Sequence, residues 1–153
     1  MSEEAKILLE AELVDQDENP VKISEIPSEI LVVYFYPRAM TAGCTREGIR
    51  FNELIDEFRK CGAEVVGIST DPPSKNKKFA EKYGFQFRLL SDEGGKLAEK
   101  LGILKKGTKQ PSAKRTTYIL KKSGELIAVL KNVRPAEKHA DEALKIVRQL
   151  QSC

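Results

Sequence analysis

The chain has one histidine, three cysteines and no strictly apolar run longer than the seven residues 30–36, and each scarcity removes a class of function. A membrane-crossing helix needs about 20 predominantly apolar residues, so the sequence predicts no membrane span. The single histidine, His139, sits among Glu137, Lys138 and Asp141. No metal-ligand spacing involves it, no Cys–His nucleophile pair is expected, and it reads as part of a solvated helix face. Three is an odd number of cysteines, and their spacing suits no disulfide framework, which points to a reducing compartment. The start, Met1-Ser2-Glu3-Glu4, has neither a basic region nor an apolar one. No signal peptide is expected, and the expected location is cytoplasmic. Net charge is +3, too small to argue for nucleic acid or a membrane surface. One stretch lacks acids: between Glu99 and Glu125 lie eight basic residues, Lys100, Lys105, Lys106, Lys109, Lys114, Arg115, Lys121 and Lys122. A solvated loop and a hairpin turn account for them, and Tyr118 alone offers little base stacking. A loop folded over the site described below would instead help keep a thiol ionised.

What is present describes one domain over residues 1–153, with 41% hydrophobic and 32% charged residues. Residues 11–23 predict two short strands around the turn cluster Asp17-Glu18-Asn19-Pro20. Residues 31–36 form an apolar, β-branched and aromatic run that ends at Pro37, the pattern of a strand covered on both faces. From Thr45 the period changes: Phe51, Leu54, Ile55 and Phe58 make the apolar stripe of a helix to about Lys60. A buried strand over 63–69 follows, then a helix capped by Ser74 and stopped by Gly84. Residues 87–90 are a short strand, and a small helix around Leu97, Ala98 and Leu101 closes at Gly102. Thr116 to Leu120 and Glu125 to Leu130 flank the turn Ser123-Gly124 as a hairpin. A last helix opens at Pro135 and carries Ala140, Ala143, Leu144 and Val147 on one face. The order gives an α/β class: a thioredoxin-like α/β sandwich with a central mixed sheet, an N-terminal β-hairpin extension and an insert around residues 85–105.

Cys44 carries the chemistry. It follows the first core strand and a short loop and opens a helix, at the sheet end where open α/β folds bind ligands. The thiolate is the nucleophile, and a helix N-terminus with a nearby cation favours the ionised form of a thiol. Thr41-Ala42-Gly43-Cys44 has the spacing of a Cys-x-x-Cys motif with threonine at the first position, so dithiol exchange inside the motif is excluded. A lone activated thiol suits attack on a peroxide O–O bond, yielding a sulfenic acid. Donors for the leaving oxygen are needed. The N–H groups of Gly43 and Cys44, the Thr41 hydroxyl and an arginine are available, and Pro37 is a rigid apolar shield.

The pattern Pro37-x-x-x-Thr41-x-x-Cys44 resembles the active-site motif of the peroxiredoxins. The longer string from Tyr34 through Glu47 is similar to the bacterioferritin-comigratory, or peroxiredoxin Q, branch. So are Phe79-Ala80-Glu81-Lys82-Tyr83-Gly84, Leu89-Leu90-Ser91-Asp92, Arg115-Thr116-Thr117-Tyr118-Ile119-Leu120 and Asn132-Val133. The resemblance implies that Cys44 is the peroxidatic cysteine and that Thr41 hydrogen-bonds peroxide and thiolate. It further implies that Pro37 shields the sulfur, that Arg115 stabilises thiolate and peroxide oxygens, and that Glu47 orients the arginine. It implies a hydroperoxide substrate, a thioredoxin-like or small-thiol reductant, a monomer or homodimer, and neither cofactor nor metal. A thioredoxin-fold binding or holdase module without turnover is the alternative. Two departures stand out. Ala42 occupies a position that is commonly proline, and Ile49 stands where many members carry a resolving cysteine. The helix of residues 74–83, where others carry it, has none either. Cys61 reads as a small, partly buried side chain and Cys153 as an unpaired thiol on a frayed tail; either is a candidate resolving thiol.

Overall fold

The computed structural model describes residues 2–105, 107 and 109–153. Lys106, one of the eight basic residues, lies outside the described residues. Helix α1 (Glu3–Glu10) comes first and is not anticipated by the sequence reading. The Ser2 hydroxyl oxygen accepts the Ala5 N–H at 2.9 Å, and Ala5, Leu8 and Leu9 form its buried side. The paired strands β1 (Glu12–Asp15) and β2 (Pro20–Lys22) are the expected N-terminal hairpin.

The central strand β3 (Ile30–Phe35) is wholly buried. Its alternate residues feed two cores. Ile30, Val32 and Tyr34 face Phe51, Phe58, Phe79 and Leu144, while Leu31, Val33 and Phe35 face Leu8, Leu97, Ile103 and Tyr118. The helix expected up to Lys60 is two helices, α2 (Ala42–Glu53) and α3 (Ile55–Lys60), broken at Leu54. Strand β4 (Ala63–Ser69) runs parallel to β3. Helix α4 (Pro73–Tyr83) starts one residue before the expected cap; Pro73 rather than Ser74 opens it, since its missing N–H is no loss in a first turn. Gly84 ends it in the left-handed conformation, φ 65°.

Strand β5 (Arg88–Ser91) joins β4 in parallel and β1 in antiparallel fashion. Helix α5 (Lys96–Lys100) and the short ladder of β6 (Leu104–Lys105) with β7 (Ser112–Ala113) make up the insert. Strands β8 (Thr116–Lys121) and β9 (Leu126–Lys131) form the predicted hairpin, with β8 antiparallel to β3. Helix α6 (Lys138–Gln151) opens three residues later than expected. The seven-stranded mixed sheet has the order β2-β1-β5-β4-β3-β8-β9. Helices α2, α3, α4 and α6 cover one face; α1 and α5 cover the other.

Two cysteine expectations are corrected. Cys61 and Cys153 are joined by a disulfide across 92 residues, with Cα atoms 5.4 Å apart. Cys61 is the C-cap of α3, and α6 ends beside it, so a tail that reads as frayed is tied to the turn before β4. Spacing could not reveal the pair because the sheet, not the local chain, brings its ends together, and the reading of a reducing compartment from the cysteines loses its premise. No described helix is long and apolar enough to cross a membrane.

Candidate active site

The register of the sheet builds the site. Phe35, the last residue of β3, pairs with Thr116, the first of β8. Arg115 therefore arrives where β3 ends, beside the loop that leads into α2. Cys44 lies in the first turn of α2, 1% exposed, and is the free cysteine. Arg115 Nη2 donates to Cys44 Sγ at 3.5 Å, and Arg115 Nη1 donates to Glu47 Oε1 at 2.5 Å. Cys44 and Glu47, one helical turn apart on α2, thus share one guanidinium.

The guanidinium reaches the sulfur over Gly43. A Cβ at that position would stand 3.1 Å from Arg115 Nη2, closer than an ordinary contact. Glycine here is a matter of space rather than of backbone conformation. The amides of Ala42, Gly43 and Cys44 precede the first bond of the helix, from the Thr45 N–H to the Thr41 carbonyl at 2.9 Å. First-turn amides of this kind favour an anion.

Thr41 occupies the N-cap, but its side chain does not cap the helix. Its hydroxyl donates to the Arg38 carbonyl at 2.7 Å and is exposed. Pro37 is half-buried at the mouth of the loop. Beneath the loop, the buried Asp71 carboxylate accepts the Ala39 N–H at 2.7 Å and the Ser69 hydroxyl at 2.8 Å. Tyr36 donates to Asn76 Oδ1 at 2.6 Å, and Asn76 Nδ2 donates to Ser91 at 3.1 Å, so a buried polar network fixes the loop from below. From above, Arg38 Nη2 donates to the Gln110 carbonyl at 3.1 Å and Thr70 to the Pro111 carbonyl at 2.9 Å. The basic segment therefore does lie against the loop that carries Pro37 and Thr41.

Glu47 is fully buried, and burial pushes its carboxyl up to about 8, with Arg115 pulling the other way. Burial works against the Arg115 charge, but Glu47 and Cys44 outweigh it and its pKa is raised. The second oxygen, Glu47 Oε2, is buried with no hydrogen-bond partner among the described residues. It faces His139 Nδ1 at 4.0 Å. His139 is 1% exposed, which overturns the solvated-face expectation. Helix α6 turns His139, Ala143 and Val147 inward at i, i+4 and i+8. Burial, with Arg115 adding to it, lowers the imidazole to about 4, so His139 is neutral near pH 7 and makes no ion pair with Glu47.

A family model described as the AhpC/TSA family matches residues 5–129. The chain belongs to the AhpC/TSA family. The relatives it resembles are peroxiredoxins. It is 44% identical over 140 residues to a chloroplastic peroxiredoxin Q of Populus jackii, covering 90% of this chain and 64% of that protein. It is 40% identical over 144 residues to a putative peroxiredoxin of Mycobacterium tuberculosis, covering 92% and 93%. The chain thus spans less than two thirds of the length of the poplar relative. Among solved structures, peroxidoxin BcpB from Mycobacterium tuberculosis superposes with a TM-score of 0.86 at 38% identity over 92% of each chain. The Xanthomonas campestris bacterioferritin comigratory protein, studied for its alkyl peroxide reduction activity, gives 0.85 at 29% identity over 95% of each. The thioredoxin-like mixed α/β fold expected from the sequence is the fold of these peroxiredoxins.

Within this AhpC/TSA-family chain, three expected site residues converge: Cys44, Arg115 and Glu47. Pro37 and Thr41 lie in the adjoining loop rather than in that contact. Sequence reasoning missed the burial of His139, the clearance that Gly43 provides, and Asp71 altogether. His139 shares the i, i+4, i+8 stripe with Ala143 and Val147, and that stripe was a readable signal. Gly43 and Asp71 had none, because each matters through a neighbour distant in the chain. Ile49, in the position where a resolving cysteine was sought, is 36% exposed on α2.

Proposed function

We propose that the protein is a thiol-dependent peroxidase, with Cys44 as the peroxidatic residue. The observation that carries this reading is a buried, free thiol in a first helical turn with a guanidinium nitrogen 3.5 Å from its sulfur. The activity of the Xanthomonas relative supports it. The Cys44 thiolate attacks the terminal oxygen of a hydroperoxide; an S–O bond forms as the O–O bond breaks. The sulfur becomes a sulfenic acid and the leaving alkoxide or hydroxide takes a proton. Arg115 and the first-turn amides stabilise charge on the oxygens, Glu47 orients Arg115, Thr41 at the mouth becomes a donor to the peroxide when its hydroxyl turns from the Arg38 carbonyl, and Pro37 excludes water.

The sulfenic acid is then reduced by an external thiol. Cys61 precedes Gly62, whose carbonyl accepts the Ile30 N–H at the start of β3, whereas Cys44 lies beyond its end. Six strand residues separate the two by roughly 17 Å. Cys61 and Cys153 are moreover bonded to each other. A thioredoxin-type or small-thiol reductant is the partner, residues 1–153 act as one domain, and the working compartment is the cytoplasm. Neither nucleic acid nor membrane is a partner in this reading.

Cys44→Ser is expected to abolish hydroperoxide consumption, and Cys61→Ser to leave it unchanged. Retained turnover in the Cys44 variant would sink the proposal. The alternative of a binding or holdase module predicts no peroxide-dependent labelling of Cys44 by a sulfenic-acid probe, whereas the peroxidase reading predicts stoichiometric labelling.

A further inference from the structure

His139 is a buried titratable group for which the chemistry above has no use. It stands in the first turn of α6, and its ring reaches two other elements. Nδ1 is 2.8 Å from Thr117 Oγ1 on β8 and 4.0 Å from Glu47 Oε2 on α2. Thr117 is itself fully buried and lies two residues beyond Arg115. The imidazole therefore touches the strand that delivers the guanidinium and faces the carboxyl group that holds it.

We propose that His139 is a positioning residue for Cys44, acting through Glu47 and Arg115. The Thr117 hydroxyl pins the ring to the sheet. The pinned ring walls off the far side of the Glu47 carboxyl, whose Oε2 has no hydrogen bond of its own among the described residues. The carboxyl is thereby left one strong partner, Arg115 Nη1, and rotation toward α6 is closed to it. With Nη1 held, Nη2 is held too, and it is Nη2 that meets the sulfur. A neutral ring suits this position, since a second cation beside Glu47 would compete with Arg115 for the carboxyl oxygens.

The proposal rests on Cys44 as the reacting thiol, so its test reads that thiol without peroxide as well as with it. The groups that face the sulfur are Glu47 from α2, Arg115 before β8, and the buried phenols of Tyr34 from β3 and Tyr36 just beyond its end, with His139 from α6 one step behind. The alkylation rate of Cys44 by iodoacetamide against pH is the primary measurement, on the full chain with the Cys61–Cys153 disulfide intact. His139→Leu and Thr117→Val should each move the half-maximal pH upward by about one unit, because Arg115 is no longer held on the sulfur. Each should slow hydrogen peroxide consumption by about tenfold, the scale of a small misplacement in a reacting geometry. His139→Gln, which keeps an amide for the Thr117 hydroxyl, should restore most of both. The double variant His139→Leu/Thr117→Val should be no worse than either alone, since both remove one bond.

An alkylation profile unmoved in His139→Leu and Thr117→Val overturns the inference, including the case in which melting temperature alone falls. If His139→Leu does not fold, Thr117→Val carries the same test. If the wild type consumes no peroxide, the proposed function fails, while the alkylation profiles still decide the role of His139.

Discussion

The two ends of the sheet hold the same element in opposite circumstances. Where β3 ends, Cys44 is alone, buried, and faced by a guanidinium and a carboxyl. Where β3 begins, Cys61 is satisfied by another sulfur, with Gln151 Nε2 donating to Glu29 Oε2 at 3.4 Å nearby. Burial does not distinguish them, because Cys61 is 4% exposed and Cys44 1%. The difference lies in partners and in which helix terminus each occupies. Cys44 stands at the start of α2, whose amides favour an anion, and Cys61 caps the end of α3, whose carbonyls oppose one. One end is arranged for a charged sulfur and the other for a covalently neutral one.

The sharpest way to break that contrast is to remove the cation. Arg115→Met should lower the rate constant for peroxide reduction by roughly 100- to 1000-fold, the scale found when a preorganised donor is deleted. Stopped-flow kinetics would check it; a loss below tenfold would mean that the amides of α2 act without Arg115. At the other end, Cys153→Ser should leave that rate untouched and lower stability. Opening a closed loop of 92 residues costs about 4–5 kcal/mol in the chain-entropy account, which for this size is a fall of roughly 10 °C or more in melting temperature. Calorimetry with and without reductant would show it in the wild type as well.

The smallest effect is electrostatic. Glu47, raised to about 8, keeps its proton in the fold after the unfolded carboxyl has lost it, so stability falls as pH rises from 4.5 to 8. His139, lowered to about 4, acts oppositely: the unfolded ring takes a proton first, so stability falls as pH drops from 6.5 to 4. The windows overlap between 4.5 and 6.5, and above 6.5 Glu47 acts alone. Glu47→Gln should therefore flatten the pH dependence of chemical denaturation between 6.5 and 8 and leave the acid limb. A slope unchanged in that variant would assign it to another group.

The extent to which the sequence foretold these two ends follows from distance along the chain. The strand, loop and helix around Cys44 are continuous in the chain over residues 30–53, and their periodicity could be read directly. Arg115 came only through a family resemblance, since 71 residues separate it from Cys44. The disulfide, 92 residues wide, was not legible at all. His139 was misplaced because the charged residues beside it outweighed the helical stripe it shares with Ala143 and Val147. Helix α1 was missed because eight residues with three buried ones give little pattern. Local chemistry was visible; anything assembled by sheet register needed the fold.

Gly43 shows what that register demands of one position. The guanidinium passes where a methyl group would stand 3.1 Å away. Gly43→Ala removes no charge, donor or acceptor, and α2 is a conformation that alanine favours. The methyl group would push Arg115 a few tenths of an ångström from the sulfur, yielding a protein with every reactive group present and its cation out of adjustment. Clearance, the volume left unfilled beside a nucleophile, is thus a component of this site as specific as any side chain in it.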